Sequence, residues 1–302
     1  MHAQHQYSAG DSKPGTIINE VKMYHGLTNQ FLYSAYKIMA TFCDEIGNRK
    51  SGTGTCFFVK NKFDEICLIT NRHVLDFSFK KRDKSLEESL KFKLYSIEIC
   101  GKHGSIDDNY PIGDTKFSVI PDVKFSQNQF NDIACIFPLR VLDGGLAKID
   151  YFVPYSFMAT RHDFERELMI CDFLAFPGFP EWHDKSANRP ILRTGTISSD
   201  PRFDYSYGDD VKGACLAYEA FSFSGSSGSP VFAVQKGPKP GSGISFPGFR
   251  ELKLVGINAG HLKVTERAYR DKENVANVHS GISYLYKTSA ILDVIDGTPA
   301  SV

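Results

Sequence analysis

The chain lacks an excess of charge of either sign: 35 Lys and Arg stand against 35 Asp and Glu. Proteins that bind nucleic acid take much of their affinity from neutralising phosphates and carry a basic excess or a dense Lys/Arg stripe. Only Lys80-Lys81-Arg82 approaches such a patch, so nucleic acid is not an expected partner. Seven cysteines include no Cys-x-x-Cys pair. That excludes a zinc ribbon, and an odd count completes no disulfide framework, so most are expected to be buried apolar thiols. His-Glu-x-x-His and clustered Cys/His spacings are also missing, which leaves no metal or cofactor to expect. There is no apolar run of membrane-spanning length, no basic-then-apolar leader and no Asn-x-Ser/Thr sequon. The expectation is therefore a cytoplasmic protein with no membrane partner.

Long helical periodicities are scarce too. Apolar residues come in short runs rich in Phe, Tyr, Ile and Val, separated by turn residues, the pattern of an all-β chain. The clearest hairpin pairs Thr55 to Val59 with Ile66 to Thr70 across a polar turn at Asn61 to Glu65. Further strands are predicted over Phe92 to Cys100, Ile133 to Phe137, Leu168 to Phe176, Pro190 to Ser198, Ala214 to Phe221, Pro230 to Gln235, Lys253 to Asn258 and Val278 to Tyr286. Ser85-Leu86-Glu87-Glu88 reads as a capping box opening a short helix, and Thr288 to Ile295 as a C-terminal helix. Residues 1–16 are polar and rich in Gly, Ser and Pro, and read as a tail. A composition change at Asp143-Gly144-Gly145 divides the strands into two groups. The expected fold is all-β: two packed antiparallel β-barrels of six-stranded type, over 17–150 and 151–302, with a short C-terminal helix.

Clefts between such units favour sites, so residues from both halves matter. Phe223-Ser224-Gly225-Ser226-Ser227-Gly228-Ser229-Pro230 is a Gly-rich turn entering an apolar strand; such a turn lets consecutive N–H groups converge beside a nucleophile. Leu68 to Leu75 ends a strand and delivers His73, the best placed of nine histidines. His25, His103, His162, His183 and His279 are read as surface residues. Phe130-Asn131-Asp132-Ile133 sets an acid directly before an apolar strand. Each segment alone has an ordinary reading as a turn, a strand end or a cap.

In the order His73, Asp132, Ser227 they resemble the chymotrypsin-fold, trypsin-like serine peptidases, specifically the bacterial HtrA and glutamyl endopeptidase branch. The resemblance covers roughly residues 35 to 295. Ser51-Gly52-Thr53-Gly54-Thr55 is similar to that family's glycine-rich lead into the strand before the histidine. Ala175-Phe176-Pro177-Gly178 followed by Arg193-Thr194-Gly195-Thr196 is similar to the hairpin opening its second barrel, and Leu252 to Ala259 to its substrate-flanking strand.

The resemblance implies a serine endopeptidase acting on protein or peptide substrates through an acyl-enzyme. Ser227 would be the nucleophile, His73 the base and Asp132 its orienting acid, with the backbone of Gly225, Ser226 and Ser227 as the oxyanion hole. Asn258, Ala259 and Gly260 would pair with substrate, and Phe221 would floor the specificity pocket, favouring cleavage after a small or medium uncharged residue. Asn258 stands where the glutamyl branch has His, which weakens an acidic preference. Ser226 replaces the Asp that pairs with a cleaved N-terminus in digestive enzymes, so no such maturation is expected. The competing reading is an inactive or latent peptidase fold acting as a protein-binding module or opened by an activating protein partner.

Overall fold

The computed structural model describes residues 29–81, 83–104, 111–142, 147–237, 249–267 and 275–297, with side chains at 83, 265–267 and 275–277 excepted. The expected tail, the Asp143-Gly144-Gly145 junction and most of the Gly237 to Phe249 stretch lie outside them.

In chain order the first half holds α1 (Asn29–Tyr33), β1 (Ala35–Cys43), β2 (Arg49–Lys60), β3 (Ile66–Thr70), the single turn α2 (Arg72–Leu75), α3 (Asp83–Leu90), β4 (Lys93–His103), β5 (Gly113–Val119), β6 (Val123–Phe125) and β7 (Ala134–Ile136). The second half holds β8 (Phe173–Gly178), β9 (Ile191–Ile197), β10 (Cys215–Glu219), β11 (Pro230–Ala233), β12 (Lys253–Arg267), β13 (Val275–Lys287) and α4 (Thr288–Asp296).

The first seven strands form one antiparallel sheet in the order β5-β4-β1-β2-β3-β7-β6; the other six close into a barrel, β10-β13-β12-β11-β8-β9. The first sheet also curls upon itself. Chain leaving β7 returns to β5, with Ile120 N–H donating to Arg140 C=O at 2.9 Å and Leu142 N–H to Ser118 C=O at 2.9 Å. The all-β reading of two packed units with a short C-terminal helix therefore holds, and the first unit carries one strand more than six.

Side-chain alternation explains why the strands before the candidate site read as unbroken apolar runs. On β2, β3 and β7, Cys56, Phe58, Leu68, Ala134 and Ile136 fill the interior of the first sheet. The intervening Phe57, Val59, Cys67, Ile69 and Cys135 point the other way, into a core shared with Phe232, Leu254, Ile257 and Tyr286 of the barrel and Ala290 and Ile291 of α4. Strands covered on both faces lose the polar alternation of a half-exposed sheet. Each large side chain removed from water there contributes about 1.5–3 kcal/mol, so the seam is a packed core and holds its two walls in register. The barrel interior is a separate cluster of Leu174, Phe176, Leu216, Tyr218, Val231 and Leu285.

Several boundaries differ from the sequence reading. The strand expected from Leu168 begins at Phe173, because the chain turns at Ile170-Cys171, where Cys171 takes φ +69°. The α3 helix opens at Asp83 and encloses Ser85, whose C=O accepts from Ser89 Oγ at 2.6 Å. The last hairpin is longer than its apolar runs, since β12 and β13 pair out to Arg267 and Val275. Four of the seven cysteines, 56, 67, 135 and 215, are buried thiols. No described helix is long and apolar enough to cross a membrane.

Candidate functional site

Three pieces of chain meet at the seam. β3 ends at Thr70, and the chain turns at once into α2, which carries His73; the histidine thus sits on a helical turn, not on the strand end. Asp132 lies just before β7, the strand paired with β3 through Thr70↔Ala134. Strand pairing therefore sets the acid beside the turn. Asp132 is fully buried. Its Oδ1 accepts the His73 backbone N–H at 2.9 Å and its Oδ2 faces His73 Nδ1 at 2.7 Å. Asn71, also buried, donates from Nδ2 to the Asp132 C=O at 2.8 Å. From the barrel side, Tyr286 O–H bonds Phe130 C=O at 2.9 Å and the Asn131 side chain accepts from Ala214 N–H at 3.0 Å.

Burial alone would raise the Asp132 carboxyl, but the neighbouring His73 and the Lys80 ammonium overcome it and hold the group at about 2. It is a carboxylate throughout the neutral range.

Ser227 is presented by the turn between β10 and β11 and is partly exposed. Its Oγ lies 3.4 Å from the Ala259 C=O. Thr55 anchors this turn from the first half. Its N–H donates to Ser227 C=O at 2.8 Å, and its Oγ1 donates to Gly225 C=O at 2.8 Å while accepting from Phe179 N–H at 3.0 Å. One residue back, a Cβ at Gly54 would stand 3.1 Å from Val74 and 3.2 Å from Ser227 C=O. The neighbour of His73 and the serine thus flank the same glycine.

Two glycines shape the turn. Gly225 has φ +90°, and a Cβ there would stand 2.3 Å from Phe179 C=O; Gly228 has φ +91°, with Thr55 C=O only 1.8 Å from a Cβ. Both demand glycine for conformation and for space. Gly228→Ala is accordingly expected to destabilise by about 3 kcal/mol or more. Gly47, whose φ is also +91° but with nothing within 4 Å, sets the comparison: Gly47→Ala should cost only about 1 kcal/mol. Urea unfolding of the two variants side by side checks the difference, and equal losses would mean that φ alone matters.

The expected oxyanion and substrate groups fall into two sets. Among the described residues the backbone N–H groups of Gly225 and Ser227 have no acceptor. Ser226 does not join them, because its N–H is spent on Phe223 C=O at 2.9 Å. Its buried hydroxyl meets the Arg193 guanidinium at 3.4 Å. Asn258 is likewise corrected from a substrate-pairing residue to a structural one. Its C=O accepts from Gly228 N–H and its N–H donates to Ser229 C=O, both at 2.9 Å, while its side chain donates to Ser226 C=O at 2.8 Å and accepts from Tyr218 O–H at 2.7 Å. Ala259 and Gly260 lie at the following irregularity in the β12–β13 ladder, with the Ala259 C=O turned toward Ser227.

Phe221 is not a buried floor. It is 56% exposed and belongs to an aromatic cluster: its ring lies 6.4 Å from Phe223 and 5.0 Å from His279, and Trp182 meets Phe223 at 4.4 Å. His279, read from sequence as a surface residue, stacks on His261 at 4.1 Å. Burial pushes His261 down to about 4, with the neighbouring His279 and Lys263 acting in the same direction, and burial lowers His279 as well. Thr55, Asn71 and His279 were not singled out by sequence reasoning. Only Thr55 carried a signal, at the end of the Gly52-Thr53-Gly54 run.

No protein-family model and no curated protein sequence matches the chain. Solved structures that match include one described as the crystal structure of Deg5, with a TM-score of 0.45 and 14% identity, covering 89% of this chain and 94% of that one. A likeness at that level carries no argument about this chain, whose fold rests on its own strand order and register.

Proposed function

We propose that the protein is a serine endopeptidase of the chymotrypsin-like type, with Ser227 as nucleophile, His73 as general base and acid, and Asp132 as the orienting acid. The observation that carries this reading is the seam itself. Asp132 grips His73 at both the backbone N–H and Nδ1, at 2.9 and 2.7 Å, while Thr55, from the same sheet, holds the Ser227 carbonyl at 2.8 Å. A two-point grip fixes the imidazole ring and its tautomer. With the proton on Nδ1, Nε2 is the basic nitrogen that receives the serine proton, and buried Asp132 stabilises the imidazolium that results.

In the forward reaction Ser227 Oγ attacks the scissile carbonyl as His73 takes its proton. The tetrahedral oxyanion is received by the N–H groups of Gly225 and Ser227, and His73 then gives the proton to the leaving amine. Water repeats the sequence on the acyl-enzyme. Losing one such oxyanion donor costs about 10²–10³ in rate in related chemistry. The aromatic cluster of Phe221 and Phe223 carries the Arg193 guanidinium 4.8 Å from the Phe223 ring centroid, which argues against cleavage after a basic residue.

A fluorophosphonate probe tests the assignment directly. Labelling of the intact protein that disappears in both Ser227→Ala and His73→Ala supports it. Labelling that survives Ser227→Ala places the reactive group elsewhere, and no labelling under any condition favours the binding-module reading.

A further inference from the structure

We infer that Lys80 is a positioning residue that shares Asp132 with His73 and extends the working range of the base toward lower pH. This rests on the peptidase reading above for its functional meaning, though not for its electrostatics. Lys80 Nζ lies 3.4 Å from Asp132 Oδ2, the oxygen that also faces His73 Nδ1 at 2.7 Å. One buried carboxylate oxygen thus serves two cationic partners whenever His73 is protonated.

The lysine is built into this place. It sits in the turn that follows α2, and so on the same short segment as His73. Asp76 organises that turn, accepting from Ser78 N–H at 3.1 Å and Ser78 Oγ at 2.7 Å and pairing with Arg72 at 3.0 Å. Lys80 itself adopts φ +60°, a left-handed conformation that a lysine takes only when its surroundings impose it. Its ammonium stands 5.5 Å from the Phe79 ring, 5.6 Å from Tyr284 and 5.5 Å from Tyr286, and 3.3 Å from the Tyr286 hydroxyl. Partial desolvation disfavours the charge, but Asp132 and Tyr284 more than offset it and keep Lys80 above its ordinary value. It is a fixed cation at any pH where the site would work.

The other titratable and charged groups that face this pair are few. β13 contributes Tyr284 and Tyr286, β10 contributes the buried Cys215 thiol, and α2 contributes Arg72, already paired with Asp76. Beyond Lys80, Lys81, Lys212, Asp209 and Asp210 line the cavity that opens behind it; Lys212 is paired with Asp209 at 2.6 Å. No second anion among the described residues is recorded within bonding reach of Lys80 to relieve Asp132 of its double duty.

An ammonium that reaches the same oxygen lies within about 6 Å of the imidazole nitrogen, a separation at which like charges in a partly desolvated site still repel appreciably. The imidazolium therefore gains less from Asp132 than it would if Lys80 were absent. Removing the Lys80 charge while keeping its volume should reverse this.

The test is the pH dependence of kcat/KM for Lys80→Met, Lys80→Gln and Lys80→Arg, with NMR titration of the His73 ring in the same proteins. In Lys80→Met the acidic limb should move up by about 1 pH unit, and Lys80→Arg should restore the parental limb. Lys80→Gln keeps a polar partner for Tyr286 and serves if the methionine variant does not fold. The ring titration should move with the limb. Limbs and ring titrations that coincide with the parent in both neutral variants overturn the inference while leaving the peptidase reading intact. A ring titration that moves in a protein without peptidase activity sinks that reading instead and leaves the electrostatic inference standing.

Discussion

Ser227→Ala should lower kcat by about 10⁶ while leaving the fold in place. The hydroxyl to be removed makes one long contact, 3.4 Å to Ala259 C=O, so its loss should alter stability by no more than about 1 kcal/mol. The turn that presents it is held by other atoms. Thr55 bonds the Ser227 and Gly225 carbonyls, and Asn258 holds the carbonyl of Ser226 and the N–H of Gly228. None of these is a serine side-chain interaction. Turnover and binding should therefore separate cleanly. The variant ought to melt with the parent, retain any polypeptide the parent cleaves, and leave it whole. Turnover of an unfolded protein substrate, measured beside thermal melting of both proteins, decides the matter. Parental turnover in the variant would remove Ser227 from the chemistry altogether.

The strands at the seam were legible in the sequence because burial on two faces writes itself as an unbroken apolar run: Thr55 to Val59, Ile66 to Thr70 and Ile133 to Phe137 all lie on or against observed strands. β1 is a different case. Tyr36, Ile38, Ala40 and Phe42 are its inward residues, a regular alternation, but apolar Met39 at an exposed position blurs it and no Gly or Pro punctuates its start. Short β6, whose residues are only partly buried or exposed, left almost no periodic signal. Leu168 misled in the opposite sense, since it is buried and extended like a strand residue, yet the chain turns at Cys171, with φ +69°, before β8 begins.

At the candidate site, residue types in order were enough to single out His73 and Asp132, which strand pairing brings into contact, and Ser227, whose turn Thr55 ties to the same sheet. What escaped were contacts between side chains far apart in the chain. Asn258 looked like a substrate-facing residue on its strand, yet only the folded turn reveals that Ser226, Gly228, Ser229 and Tyr218 occupy all its polar groups. His279 resembled a surface histidine until β13 brought it against His261 and Phe221. Lys80 lay in a basic triplet that stood out only as the nearest approach to a phosphate-binding patch; its turn folds the ammonium inward onto Asp132.

Asp132→Asn should reduce kcat by about 10⁴ with little change in backbone structure. The reason lies in the two-point grip. Oδ1 accepts the His73 backbone N–H and Oδ2 faces Nδ1, so both positions must be acceptors when the ring carries its proton on Nδ1. An amide supplies a single acceptor. If its oxygen keeps the backbone N–H, its NH₂ is aimed at Nδ1; the ring must then accept there and carry its proton on Nε2, where it cannot take one from Ser227. If the amide is reversed, its NH₂ opposes the backbone N–H and the grip on α2 is lost. Lys80 also loses the anion at 3.4 Å that holds it, leaving an uncompensated ammonium beside the ring. The carboxylate charge that would stabilise the imidazolium is gone in either arrangement. Glu at this position keeps the charge but its longer stem does not fit a fully buried place between β3 and β7, so Asp132→Glu should recover only part of the loss. A pH profile separates the causes: if the wrong tautomer dominates, Asp132→Asn should regain rate as pH rises and direct deprotonation of the nucleophile becomes easier. A flat deficit at all pH would indicate displacement of His73 instead, and parental rates at neutral pH would remove Asp132 from the mechanism.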